Sequence, residues 1–354
     1  MTAPDVPLAL TGQVTWADVL GRLLRLEDLD DATAAAVMTR IMEGEATPAQ
    51  VAGLLVALRM KGETPAEIAG LVLAMRRYAL RVRVEGPVVD TCGTGGDRAG
   101  TFNISTLAAL VAAGAGARVV KHGNRAASGR CGSADLLEAW GVPIDLAPGG
   151  VEACIDSVGI GFCFAPVFHP AMRHAMTARR ELGVPTVFNF LGPLTNPAGA
   201  RHQTIGVNDP AMAPHMAAVL ARLGTGHTLV FHGSDGLDEL TTTGPSRMWE
   251  VRGAEIAERL FDPADHGVAR ARVEDLRGGD VDDNRRIAEA VLDGTSGPPR
   301  DVVLVGAAAA LVAGDRVDDF DAGLHAAARS IDSGAAADLL QRWVAVSQSL
   351  AGRR

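Results

Sequence analysis

The chain has 354 residues, 47% of them hydrophobic and 21% charged, which excludes a disordered protein and provides enough material for two cores. A net charge of −9 argues against broad binding to nucleic acid or to an acidic membrane surface. The longest weakly polar runs, 106–120 and 302–314, fall short of the roughly 18 residues that a membrane span requires. The opening MTAPDVPLAL has neither the basic head nor the cleavage site of a signal peptide, so the cytoplasm is the expected location.

Residues 14–80 carry four apolar stripes at helical spacing, WADVLGRLLRLEDL, DATAAAVMTRIMEG, TPAQVAGLLVALRMKG and TPAEIAGLVLAMRRYAL. The last two open with Thr-Pro-Ala, a cap followed by proline at the first helical position. Four helices joined by short loops predict a helical bundle whose apolar faces could also serve a partner subunit. No nucleophile or metal-ligand spacing occurs there. Lys61 and Lys121 are the only lysines among 33 basic residues. Cys92, Cys131, Cys154 and Cys163 show no paired spacing and read as reduced structural thiols.

From about residue 87 the pattern becomes α/β. Two strand–loop–helix units follow each other: strand 88–90, glycine-rich loop 92–101, helix 105–114; then strand 118–121, polar loop 122–132, helix 133–140. In a parallel sheet such loops emerge together at the C-terminal strand ends, where ligands bind. A weak strand–helix pattern covers 143–158, and 160–164 reads as a strand. A helix is predicted from His169-Pro170 to about Leu182. On its wheel Arg173, Thr177 and Arg180 share one face, and Arg179 falls on a stripe with Met172 and Met176. A guanidinium there calls for an anionic partner, either an internal carboxylate or a ligand, or else snorkels at the bundle edge. The turn-rich stretch around Gly192-Pro193 and Asn196-Pro197 leads to strands QTIGV, TLVFHG and MWEVR, and to helices 285–292, 301–313 and 323–333.

Three constellations carry chemistry. Gly93, Gly95 and Gly96 with Asp97, followed by NIST (103–106) at a helix start, offer bare backbone N–H groups and hydroxyls to phosphate. Asn103 or Ser105 as an ordinary cap would explain a lone GxGG, and the polar run favours an anion. Lys121 and Arg125 in KHGNR can bracket a phosphate or diphosphate, Lys as a point charge and Arg bidentately. His122 reads more simply as a loop hydrogen-bonder, Asp135 as the first-turn acid of its helix. Asp238-Glu239 is by itself an acidic surface turn. On the same sheet edge as diphosphate loops it suits a magnesium ion joining protein carboxylates to substrate oxygens.

The runs GTGGD (93–97), NIST (103–106), KHGNR (121–125), GSAD (132–135), RRELG around Arg179, Phe188-Asn189 through Pro197, and GLDEL (236–240) resemble anthranilate phosphoribosyltransferases in order and spacing, over about residues 15–345. The resemblance implies transfer of phosphoribosyl from 5-phosphoribosyl 1-diphosphate (PRPP) to anthranilate, releasing diphosphate, in tryptophan biosynthesis. It implies a small helical domain, 1–86 joined in space by about 167–200. A larger α/β domain, 87–354, would have a mainly parallel central sheet of the nucleoside phosphorylase/phosphoribosyltransferase kind. It also implies a homodimer through the helical domain. Carried over by motif, PRPP is assigned to Gly93, Gly96, Asp97, Thr101, Asn103, Ile104, Ser105, Thr106, Lys121, His122, Gly123, Asn124, Arg125, Ala126, Ala127, Ser128, Gly129 and Ser133. Anthranilate is assigned to Gly93, Asn124 and Arg179, the last at the cleft between domains. Mg²⁺, two ions, is assigned to Ser105, Asp238 and Glu239. No residue is assigned as general base, because an aniline amine is already unprotonated at neutral pH.

The chain departs from the common pattern at Gly129-Arg130-Cys131, where many members have Ser-x-Ser, at Val305-Gly306 and at Trp140. Two other readings remain: a pyrimidine-nucleoside phosphorylase-like enzyme, which fits KHGNR and NIST less well, and a nucleic-acid-binding relative without activity. A dinucleotide oxidoreductase is weaker, since 93–96 is GxGG and not GxGxxG.

Overall fold

The computed structural model of the protein describes residues 15–126 and 130–352. Ala127, Ser128 and Gly129, expected to contact PRPP, lie outside the described residues. By its internal contacts the chain forms two compact units, one comprising residues through Ala79 with His169–Leu191, the other Leu80–Phe168 with Gly192–Arg354.

The first unit is helical: Trp16–Leu24, Asp31–Met42, Pro48–Lys61, Pro65–Tyr78 and Arg173–Leu182. Thr47 and Thr64 each close a reciprocal cap with the side chain three residues on, Gln50 and Glu67, and Pro48 and Pro65 occupy the first turn. The Asp31–Met42 and Pro65–Tyr78 helices meet through small residues. A Cβ on Gly70 would stand 2.2 Å from the Asp31 carbonyl oxygen and 2.9 Å from the Ala34 methyl. Lys61 is consumed inside this unit. Its ammonium lies 2.7 Å from Asp28 and 3.0 Å from Glu67, and Glu67 also accepts the N–H groups of Leu29 and Thr64.

The helix expected from His169 begins at Arg173, after a 3-10 turn over Pro170–Met172. The Met172–Met176–Arg179 stripe is not its buried face. Ala175 and Ala178 are buried and Met176 is 49% exposed, because the helix packs closely on its neighbours through its small residues. Arg179 sits at the margin, half-buried.

The second unit holds a seven-stranded sheet of β1 (Val89–Gly93), β2 (Val119–Gly123), β3 (Ile160–Phe164), β4 (His202–Gly206), β5 (His227–Gly233), β6 (Ser246–Arg252) and β7 (Glu255–Phe261), in the order β3-β2-β1-β4-β5-β6-β7. The first five are parallel; β6 and β7 are antiparallel additions. Strand order reverses between β1 and β4, and a crevice opens at such a point on the C-terminal edge. The Ala-rich helices Ile104–Gly114 and Pro298–Ala313 pack against each other. Leu107 through Val111 and Ala307 through Ala310 are buried, and a Cβ on Gly306 would lie 3.1 Å from the Ala108 methyl.

The joins between units fall at 79/80, 168/169 and 191/192, against the 86, 167 and 200 read from sequence. Hydrogen bonds decide this: Leu80 N–H donates to the Phe168 carbonyl, Val82 N–H to Pro197, and the Asn196 amide to the Val120 carbonyl of β2. Residues 80–86 and 192–200 are thereby tied to the sheet. Among the described residues several elements were not predicted, including the short helices Ala165–Phe168 and Phe188–Leu191. β7 is an exposed edge strand without alternation, and the helices Met212–Arg222 and Ala335–Ala351 start at Ala211 and Gly334, which supply no side-chain cap. No strand forms over 143–147; the helix there is Pro148–Val158. Among the described residues no helix is long and apolar enough to cross a membrane.

Candidate active site

The second unit gathers loops from β1, β2 and β5 at one sheet edge. After β1 the backbone turns through Gly95 and Gly96 at φ of 68° and 83°, a region that side chains disfavour. Gly95 N–H donates to Asp238 Oδ2 at 2.7 Å, and Thr94 Oγ1 lies 3.0 Å from Asn208 Oδ1 after β4. The Ile104–Gly114 helix then starts at Asn103, whose side chain does not cap it but donates to the Cys131 carbonyl at 3.1 Å. Ser105 N–H, a free helix-start donor, is taken by Glu239 Oε1 at 3.2 Å. Thr106 Oγ1 is buried and has no partner among the described residues.

Asp238 and Glu239 reach this point because the loop after β5 folds back over the end of β4. Bare glycines permit it: a Cβ on Gly206 would stand 1.6 Å from the Asp238 carbonyl oxygen, and one on Gly93 2.2 Å from Asp238 Oδ2. Asp235 braces the loop, accepting the hydroxyls of Thr241 and Thr243 and the N–H of Leu237. Burial, then the nearby Asp97 carboxylate, pushes Asp238 up to about 7. Burial and the adjacent Asp238 push Glu239 well above the usual carboxylate range, with Lys121 opposing.

Lys121 and Arg125 are not free to bracket a ligand in this arrangement. Lys121 is 2% exposed and its ammonium donates to the Thr91 carbonyl and lies 3.2 Å from Ser105 Oγ. Burial lowers its pKa against the pull of Asp90. Arg125 pairs with Asp135 at 2.6 Å and Glu138 at 2.9 Å. His122 belongs to the framework, its N–H donating to Asp90 Oδ1 at 3.0 Å and its Nδ1 facing the Gly192 carbonyl at 3.2 Å. Asn124 Oδ1 accepts the N–H of Arg125, and its carbonyl accepts the hydroxyl of Ser133. Gly123 must be bare, since a Cβ would lie 2.6 Å from Ser133 Oγ. Asp135, read as a first-turn acid, also organises the second loop, accepting the N–H groups of Ala126 and Gly132. Sequence reasoning missed Asp90, Asn208 and Gly206; no local motif marks them, because their partners come from other strands.

The edge therefore brings together Gly93, Gly96, Asp97, Thr101, Asn103, Ser105, Thr106, Asp238 and Glu239, with Lys121 beneath. Asp97, Asp238 and Glu239 crowd one another, and Lys121 opposes that crowding at Glu239, so a hard cation would relieve the repulsion among the carboxylates. Among the described residues no three His, Cys, Asp or Glu side chains form a cage. Two carboxylates and a hydroxyl fit magnesium, which keeps waters and substrate oxygens in its shell. Arg179 belongs to the helical unit. Its guanidinium lies over the Phe188 ring, 5.3 Å from the centroid, and has no acidic partner among the described residues; burial lowers its pKa.

Two family descriptions match: "Glycosyl transferase family, helical bundle domain" over residues 17–79 and "Glycosyl transferase family, a/b domain" over 85–337. With the fold they define the class, a glycosyl transferase built from a helical bundle and an α/β sheet. The anthranilate phosphoribosyltransferase of Salinispora arenicola is 55% identical over 348 residues, covering 96% of this chain and 98% of its own. That of Thermus thermophilus, a solved structure, superposes with a TM-score of 0.89 at 46% identity, covering 94% and 99%. The Saccharomyces cerevisiae enzyme, solved in complex with PRPP and Mg, gives 0.87 at 27% identity, covering 96% and 99%; it has also been solved with 4-fluoroanthranilate. The chain belongs to the anthranilate phosphoribosyltransferase family.

Proposed function

We propose that this chain transfers the phosphoribosyl group of PRPP to the amine of anthranilate, giving N-(5-phosphoribosyl)anthranilate and diphosphate. One observation carries the reading: the glycine-rich β1 loop, the uncapped helix start at Asn103–Thr106 and the Asp238/Glu239 pair converge at the reversal point of the sheet. The amine attacks ribose C1 as the C–O bond to diphosphate breaks. The backbone N–H groups of the β1 loop and the hydroxyls of Thr101, Ser105 and Thr106 hold the departing oxygens. This is positioning plus electrostatic stabilisation, with no covalent step on the protein. Magnesium, when bound, neutralises diphosphate charge as it develops. Asp238 and Glu239 face different partners, Gly95 and Ser105, and we assign one ion to each, Ser105 Oγ completing the set. Ile104, His122, Gly123 and Ala126 shape the loops, while Asn124, Arg125 and Ser133 supply further donors once PRPP competes for them. Gly93, Asn124 and Arg179 take anthranilate, Arg179 through the carboxylate. An unpaired, half-buried guanidinium on an aromatic ring supports that role.

We further infer that the two units are its domains and that the chain is a homodimer through the helical one, which leaves Leu24, Leu26 and Met60 68–78% exposed. Four free cysteines suit a cytoplasmic location. Mixing protein, anthranilate, PRPP and Mg²⁺ should quench anthranilate fluorescence as product forms, and chelating the metal should stop it. Asp238→Asn with Glu239→Gln should lower turnover by about a hundredfold or more; full activity at saturating Mg²⁺ would refute the metal site.

A further inference from the structure

The stretch between β7 and the Val281–Leu292 helix lies alongside the first phosphate loop. Phe102 N–H donates to the Leu276 carbonyl at 3.1 Å, Gly278 N–H donates to the Gly100 carbonyl at 2.9 Å, and Thr101 bridges Arg277 in antiparallel fashion. The contact is tight. A Cβ on Gly278 would stand 2.2 Å from Asn284 Oδ1 and 2.8 Å from the Phe102 Cα. Asn284, 2% exposed in the next helix, secures this strap by accepting Gly279 N–H at 3.0 Å. Burial raises the pKa of the Cys131 thiol in the second loop, and the same Asn284 side chain opposes that rise. Cys131 in turn meets Asn103 twice, its carbonyl accepting the Asn103 amide at 3.1 Å and its thiol donating to Asn103 Oδ1 at 3.3 Å.

We propose that Asn284 is a positioning residue for PRPP, holding 276–278 against 100–102 so that the first loop keeps one arrangement, to which Asn103 joins Cys131 of the second loop. The inference rests on the reading of 93–106 as the phosphate loop. Physically, that loop has positive φ at Gly95, Gly96, Arg98 and Gly100 and little preference of its own. The Asn284 carbonyl gives the strap an acceptor that alanine lacks, fixing Gly279 N–H at 3.0 Å. Without it the loops are correctly placed for a smaller fraction of the time, and apparent affinity falls by that fraction.

The test compares Asn284→Ala, Gly278→Ala and, as a control in the loop itself, Asn103→Ala. Titration calorimetry with PRPP and Mg²⁺ and steady-state KM for each substrate are read beside thermal midpoints. Asn284→Ala and Gly278→Ala should each weaken PRPP binding about tenfold while the KM for anthranilate stays within about twofold. A lowered midpoint with unchanged PRPP affinity in both overturns the proposal and leaves a packing role only. The control separates the premises: weakened binding in Asn103→Ala keeps the loop reading when the strap fails, and unchanged binding there removes both.

Discussion

At the scale of single residues, charge without a partner is the most informative feature. Arg179 has a half-buried guanidinium, a ring beneath it and no carboxylate among the described residues. If it holds the anthranilate carboxylate, removing it forfeits a charge-assisted bond of about 1.5–3 kcal/mol. Arg179→Ala should therefore raise the KM for anthranilate tenfold to a hundredfold, roughly, with little change in the KM for PRPP. Unaltered anthranilate kinetics would exclude the role. Gly206 makes the opposite point, since it contributes nothing but the absence of a side chain. The Asp238 carbonyl passes where its Cβ would be. Gly206→Ala should displace Asp238 and cost about a hundredfold in turnover at a modest loss of stability, measured by initial rates beside a melting curve. Glycine at 206 looks like any strand residue until the β5 loop is in place.

At the scale of elements, the two lysines divide the labour between structure and chemistry. Lys61 ends its helix with its ammonium between Asp28 and Glu67, and Glu67 caps the next helix while accepting the Leu29 N–H. Three segments of the bundle thus meet at one buried ion pair. Lys61→Ala leaves Glu67 buried without its cation, which costs on the order of 3 kcal/mol. Urea unfolding should show that loss, and Lys61→Met with Glu67→Gln should recover part of it. Additive losses in the double variant would mean the pair does not couple. Lys121 underlies the site from β2, at Ser105 and the β1 backbone. The capping residues of the bundle and the glycines of the β1 loop were legible because they act within three or four positions of the chain. The exposed strand Glu255–Phe261 was not, because its place depends on pairing with β6 and not on its own pattern.

At the scale of the whole molecule, exposed apolar side chains on the first and third helices are the conspicuous feature of the helical unit. Leu24 is 77% and Met60 78% exposed. Leu24→Asp with Met60→Asp should convert a dimer into monomers in sedimentation velocity without loss of helix content. A wild-type chain sedimenting as a monomer at micromolar concentration would end the proposal.

Sequence alone determined the helical bundle, the strand–loop–helix units, the two glycine-rich and polar loops and the Asp238-Glu239 pair, since periodicity, caps and turn chemistry are local. It also put Arg179 on a stripe that turned out not to be buried, and left open whether the guanidinium meets a ligand, an internal carboxylate or solvent at the bundle edge. Tertiary structure decided the rest: that strand order reverses at β1 and β4, that Asp238 crosses β4 to receive Gly95, that Lys121 and Arg125 are already engaged, and that residues 276–284 clasp the first loop. Each depends on contacts between segments tens to more than a hundred residues apart, where van der Waals exclusion and buried hydrogen bonds select partners that no spacing along the chain records.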